Sequence, residues 1–292
     1  SVASLSLAVS IVFALSRNSK SRGQIAQQGG VKLLLHAHSL FPDSDVQARR
    51  TTAHALARIL ISTNPMHVFG GSNPLPLTTS IRPLLNLLVD DPNTEHRDLL
   101  PVFESLLALT NLASTDDSAR NPIIRLGWAS ITELLLSNNT MVTRATVELI
   151  CNLMQSPEGV AKFADGSKQA SHMTHILLAL SDAPDFATRR AAGGALASLT
   201  AWDTAVNAIL ERDRGVKLLL GLCTEDEEEM RHRGVVCVLN VVSVPGKVGE
   251  WGLRKAKDEG GVEALEECLK KSNSQEVREL TVGALRKLMS SS

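Results

Sequence analysis

Glu104 and Glu148 stand on two strongly helical stretches, "FESLLALTNLAS" at 103–114 and "RATVELICNLM" at 144–154. Two carboxyls on facing helices could do general acid–base chemistry, one giving a proton and one taking it. That chemistry also needs a nucleophile or a water-excluding pocket, and no partner residue stands at a matching spacing. His36 with His38, and His172 with His175, are close pairs. Neither has a Glu or Cys where a third metal ligand would have to sit, so all four read as exposed histidines. Gly246-Lys247 lacks the upstream Gly and the following Ser or Thr of a phosphate-binding loop. No G-x-G-x-x-G follows a strand pattern, and no G-x-S-x-G elbow occurs. The expectation is a protein that is not an enzyme, with no catalytic residues, metal or cofactor. Cys151, Cys223, Cys237 and Cys268 form no C-x-x-C pair, and three lie in apolar helical patterns. They read as reduced core cysteines.

The polar group that does recur is a side-chain amide. Asn111 sits inside "FESLLALTNLAS", Asn152 inside "VELICNLMQS" and Asn240 inside "VVCVLNVVS". The first interval is 41 residues (152 − 111) and the second is 88 (240 − 152), or two steps of 44. An amide offers both a donor and an acceptor, which leaves two uses open. It can meet the backbone of a bound peptide, or it can bond a carbonyl of an adjacent loop and fix the geometry of a repeat.

The elements that carry these residues are helices of a diverged repeat. Leu15, Ile59, Leu112, Leu153, Leu199, Val241 and Leu288 are equivalent, at intervals of 44, 53, 41, 46, 42 and 47. The lead-ins share an Arg, then small residues, then Leu at helical spacing, as in "RRTTAHALARIL", "TRRAAGGALASLT" and "VRELTVGALRKL". Between them stands a second signature: "QQGGVKLLLHA", "RLGWASITELL", "RDRGVKLLLGL" and "DEGGVEALEEC". Its Gly ends one short helix in a left-handed turn, and the residue after it starts the next. Three helices in roughly 40–47 residues match the armadillo class. The fold expected is all-α, an armadillo-like α-solenoid of about six to seven three-helix repeats. Residues 1–292 read as a single repeat domain, a fragment of a longer chain.

The longest interval contains "STNPMHVFGGSNPLPLTTSIRP", whose four prolines and paired glycines break regular structure. A mobile, irregular loop is expected over about 64–79. "TEDEEEM" reads as a solvated loop and helix start.

In such a stack the third helices line a concave groove, at a packing distance of about 10 Å. Two to three residues of an extended peptide cover the same span. The Asn register reads Ala14, Arg58, Asn111, Asn152, Ser198, Asn240 and Lys287, so its centre is the best candidate for an amide-lined groove. One turn back lie Leu107 and Glu148 on the same face, and Arg144, Arg190 and Arg233 stand where they would rim it. Three amide contacts would contribute only about 2–4 kcal/mol, so side-chain pockets or a folded partner must add the rest.

Net charge is −1 and the pI about 6.7, which gives no field for nucleic acid. Aromatics are 3% and Tyr is absent, which removes base-stacking platforms. No run of about 18–20 apolar residues is present to span a membrane. The opening "SVASLSLAVSIVFALSRN" lacks the basic start of a secretion signal, and a cytoplasmic location is expected.

Taken in order, "STNPMHVF", "FESLLALTNLAS", "RATVELICNLM", "RRAAGGALASLT" and "MRHRGVVCVLNVV" resemble the UCS domain of the myosin-directed chaperones over nearly the whole chain. The resemblance implies an armadillo-like superhelix that binds the motor domain of a myosin heavy chain and helps fold or maintain it, alongside Hsp90 and Hsp70. It also implies client contacts on the groove and on the long loop, here Asn64, Pro65, Phe69, Gly70 and Gly71. No stretch matches the W-x-x-L-G-x-x-Y pattern of the tetratricopeptide domain that docks Hsp90 in animal members. A homo-oligomer is compatible with this reading. Another armadillo adaptor, an import receptor or a catenin-like scaffold, is the alternative. Import receptors pair each groove Asn with a Trp on the same helix, whereas Trp128, Trp202 and Trp251 fall outside the third-helix cores.

Overall fold

The computed structural model describes residues 2–70, 74–89 and 98–290. All regular structure among them is helical, and most helices follow one another in threes. The chain divides into two compact units, Ser1–Ser156 and Pro157–Ser292.

The first unit opens with the helix Val2–Leu15 and continues with a triplet, Ser19–Gln27, Gly30–Leu40 and Val46–Leu60. The next triplet is Pro65–Phe69, a 3₁₀ turn at Leu77–Ser80 that runs into Ile81–Leu85, and Leu99–Ala113. The last has Asp117–Glu133, ending in a 3₁₀ turn, and Thr140–Leu153. The second unit contains three full triplets, whose third helices are Phe186–Leu199, Glu228–Ser243 and Gln275–Ser290.

Third helices are the centre of each unit. Leu99–Ala113 packs on Val46–Leu60 and on Thr140–Leu153, and Glu228–Ser243 packs on Phe186–Leu199 and on Gln275–Ser290. A helix flanked on several sides must be apolar nearly all round. Thr52 to Leu60 form an unbroken buried run that includes Ala53, Ala55 and Ala57, small residues that admit neighbouring backbones. Four of the third-helix starts are fixed by a short acceptor side chain. Asp45, Asp98, Asn139 and Asp185 accept from free backbone N–H groups of the first turn at 2.9–3.2 Å, the expected N-cap chemistry.

The glycine signature divides in two. Gly29 and Gly260 hold left-handed backbone at φ +80° and +89°, as a tight helix–helix turn needs. In the third copy Arg214 takes that position at φ 55°, so the left-handed site tolerates a side chain at some strain. The following Gly does not. A Cβ on Gly30, Gly215 or Gly261 would stand 2.7, 2.1 or 2.5 Å from a carbonyl oxygen of the preceding helix.

The second copy, "RLGWASITELL", makes no turn. Asp117–Glu133 is continuous through Pro122 and Gly127, which corrects the expected break there. Gly127 is instead a contact point: a Cβ would meet a Leu85 methyl at 2.4 Å. Within the 64–79 segment, Pro65–Phe69 is a short helix and Leu77–Ser80 a 3₁₀ turn. Asn64 accepts from Met66 N–H at 2.9 Å and Pro65 follows at the first helical position, where its missing N–H costs nothing. Leu75 N–H then donates to Phe69 O at 2.9 Å.

Candidate functional site

The amide series comes first, because its partners settle what its donors do. Asn111 Nδ2 donates to two carbonyls, Leu60 O at 2.7 Å and Thr63 O at 2.8 Å. Both acceptors belong to the end of the preceding third helix and the turn after it. Asn152 Nδ2 donates to Thr110 O at 3.0 Å, again on the preceding third helix. In the second unit Asn240 Nδ2 donates to the hydroxyl of Thr200, the C-cap of Phe186–Leu199, at 3.1 Å. Asn111 and Asn152 thus donate to carbonyls at or just beyond the end of the preceding third helix, and Asn240 to a hydroxyl at the same place. Asn111 spends both amide hydrogens this way. Its Oδ1 accepts from none of the described residues, and the side chain is half-buried.

The starts of the third helices use charge. Arg189 Nη1 donates to Ala183 O and Pro184 O at 3.0 and 3.1 Å. Arg231 Nη1 donates to Glu225 O and Asp226 O, both at 2.7 Å, and Arg278 Nη1 reaches Ser272 O at 3.4 Å. The first acceptor lies six residues upstream each time. Thr143 takes the same place with its hydroxyl, donating to Ser137 O at 3.0 Å, also six residues back. Each group closes the loop that leads into its own helix.

These anchors were not among the residues expected to act. The groove rim was assigned to Arg144, Arg190 and Arg233. Arg190 is exposed and Arg144 half-buried, whereas Arg231 is only 4% exposed. Arg233 Nη1 donates to Arg190 O and Nη2 pairs with Glu229, so this residue serves inter-repeat contact. The acidic loop is likewise engaged. Glu225 pairs with Arg189 at 2.8 Å and Glu228 with Arg231 at 2.7 Å. Burial raises the Glu228 carboxyl, but the Arg231 bond and the N–H groups of Asn273 and Ser274 outweigh it, and the net shift is downward. A sequence signal existed: the Arg recurs at one fixed place in the helix pattern.

Glu104 is not a solitary carboxylate. Arg58 Nε donates to Glu104 Oε2 at 2.7 Å and His54 Nε2 donates to the same oxygen. Arg58 and His54 occupy, on Val46–Leu60, the positions held by Asn111 and Leu107 on Leu99–Ala113. The Arg58 guanidinium also lies 4.5 Å from the ring centre of Phe13, within cation–π range. Burial raises the Glu104 carboxyl, yet the bonds from His54 and Arg58 prevail and hold it below its ordinary value. Leu107 and Glu148 are half-buried on the same face of their helices.

Among the loop residues, Pro65 is buried and Phe69 is 5% exposed, which removes both from any contact surface. Asn64 stays exposed at the helix cap and Gly70 half-exposed. Gly71 lies outside the described residues. Met66 is 63% exposed.

The histidine pairs are not uniformly exposed. His175 is half-buried and its Nε2 donates to Ala208 O at 2.7 Å. His38 is half-buried, and burial with the nearby Arg49 charge lowers its pKa. No group of three metal-ligating side chains is present among the described residues. All four cysteines are free thiols, with Cys223, Cys237 and Cys268 buried. Burial pushes the Cys237 thiol up to about 12. No helix among the described residues is long and apolar enough to cross a membrane.

No protein-family model matches the chain. Over 225 residues, 76% of its length, it is 37% identical to Ring assembly protein 3 of Schizosaccharomyces pombe, of which it covers 29%. The solved structure of UNC-45 from Drosophila melanogaster superposes with a TM-score of 0.84 at 30% identity, over 99% of this chain and 35% of that one. A designed armadillo repeat protein superposes with a TM-score of 0.65 at 19% identity, over 88% of this chain and 98% of that one, a likeness of fold alone. The chain spans under a third of the curated relatives' length.

Proposed function

The chain belongs to the UCS-domain family of myosin-directed chaperones, and on that premise we propose that it binds the motor domain of a myosin heavy chain through its third helices and assists the folding or maintenance of that motor. The observation that carries this reading is the amide series. Its donors are used between repeats, while Asn111 keeps an unused acceptor on a half-exposed helix face. A client backbone N–H in extended conformation is the natural partner of such an acceptor. Each contact contributes about 0.5–1.5 kcal/mol, so Leu107 and Glu148 on the same face supply further contact.

We take residues 1–292 as one UCS-type repeat domain. Its 64–79 segment meets the client through Asn64, Gly70 and the exposed Met66, in place of the buried Pro65 and Phe69. Hsp90 and Hsp70 are the chaperones that would act alongside it, in the cytoplasm, and self-association of the chain is compatible with the scheme. No catalytic step belongs to this function.

The test is binding of the purified chain to a myosin motor fragment, together with suppression of that fragment's heat-induced aggregation. Saturable binding with suppression is expected. Absence of both, with the chain folded by circular dichroism, would overturn the proposal.

A further inference from the structure

A cavity of about 660 Å³ in the first unit lies between the helix Gly30–Leu40 and the stretch 74–83. None of its lining residues belongs to the amide register, and none is a carboxylate. Leu35 and Leu75, both half-buried, and the buried Pro83 give it an apolar surface. Arg82 is exposed beside them, and its guanidinium has no hydrogen-bond or ion-pair partner among the described residues. The His36 ring is exposed on the helix side of the same cavity. Lys32, also on that side, is already engaged. Between residues 30 and 89 the sequence holds two acidic residues, Asp43 and Asp45. Asp43 pairs with Arg49, and Asp45 caps Val46–Leu60 by accepting from Ala48 N–H. Neither is left for Arg82.

A guanidinium with its N–H edge open to solvent is matched by a carboxylate, which accepts two parallel bonds. The apolar surface beside it asks for an apolar side chain in the same ligand. From Lys32 to Ser39 the helix runs about 10 Å, which about three residues of extended peptide cover. A nucleic acid would bring bases, and no aromatic side chain lines the cavity to stack on them. A flat membrane surface does not reach the half-buried Leu35 and Leu75. We propose that this cavity docks an extended acidic segment of a partner protein, with a Glu or Asp paired to Arg82 next to a large apolar side chain on Leu35 and Leu75. The His36 ring donates to a second carboxylate of the same segment. This is a second docking place, separate from the amide face of the third helices.

The test is fluorescence anisotropy of a labelled six-residue peptide of alternating Glu and Leu, titrated with the purified chain at low and at physiological ionic strength. The same peptide with Gln for Glu, a single-stranded oligonucleotide and phosphatidylserine vesicles are run beside it. Wild type is expected to bind the Glu peptide saturably, about tenfold more tightly than the Gln peptide, with affinity falling as salt rises. Arg82→Gln should weaken Glu-peptide binding by about tenfold at an unchanged melting midpoint, because the Arg82 side chain holds no other group. Equal affinity of wild type and Arg82→Gln for the Glu peptide would overturn the proposal. So would no binding by wild type, or tighter binding to the oligonucleotide or the vesicles than to the peptide.

Discussion

The third helices are held differently at their two ends. At the start, Arg231 makes charged bonds to two carbonyls of the loop just before it, to Glu228 and to Ser272. At the end, Asn111 makes two neutral bonds to carbonyls of a different repeat. The Arg contacts are mostly local and close one repeat on itself. The Asn contacts bridge 48 and 51 residues of sequence and couple one repeat to the next. The start therefore specifies the shape of a repeat, and the end specifies the register between repeats. At the end, Asn111 still keeps an unused acceptor, its Oδ1, among the described residues.

The largest consequence falls at the starts. Replacing Arg231 by Ala strips four groups of their partner in a site 4% exposed, and should cost roughly 3–5 kcal/mol. Chemical denaturation of the variant measures it. A loss below about 1 kcal/mol would place the anchor's worth elsewhere.

At the ends the effect is smaller. Asn111→Ala leaves two carbonyls short and should cost about 1–3 kcal/mol. Amide exchange should quicken first in the turn after Val46–Leu60, where Thr63 lies.

Acid should separate the two ends. Glu228 has a carboxyl pKa held below its ordinary 4.5 in the folded protein. A depressed carboxyl contributes stability that is complete above the unfolded value and is lost as pH falls through the folded one. The start of Glu228–Ser243 should therefore loosen below about pH 4.5, while the amide ends, which do not titrate, should not. Stability measured from pH 6 downward should decline less steeply for Glu228→Gln than for wild type. Parallel curves would contradict the assignment.

The smallest effect belongs to Asn240→Ala. Its partner, the Thr200 hydroxyl, also donates to Ala197 O at 3.2 Å and is not orphaned. A cost of about 0.5–1 kcal/mol is expected, measured by the same denaturation. A loss as large as that of Asn111 would break the distinction between carbonyl and hydroxyl acceptors.

Helices and their grouping in threes were legible in the sequence, because apolar spacing and glycine turns are local signals. The period of Asn111, Asn152 and Asn240 was legible as well. The direction of their bonds was not: the acceptors are mainly backbone carbonyls, which carry no side-chain signature. The same reason hid Arg189 and Arg231 behind Arg190 and Arg233. Gly127 misled because one glycine can make a turn or a close contact, and only the position of Leu85 decides. The Phe13–Arg58–Glu104 cluster joins three separate helices, and its members looked unrelated. Phe69 and Pro65 were read as loop because proline content was weighed above the Asn64 cap that starts a helix there.

The central claim is that one amide both couples repeats and meets the client. It is tested most directly on the double variant Asn111→Ala with Asn152→Ala, by titrating a myosin motor fragment well below the melting midpoint and recording that midpoint on the same samples. The account predicts a midpoint lowered by several degrees and motor binding weakened by about threefold to tenfold while the variant is fully folded. A folded double variant with wild-type motor affinity would contradict it.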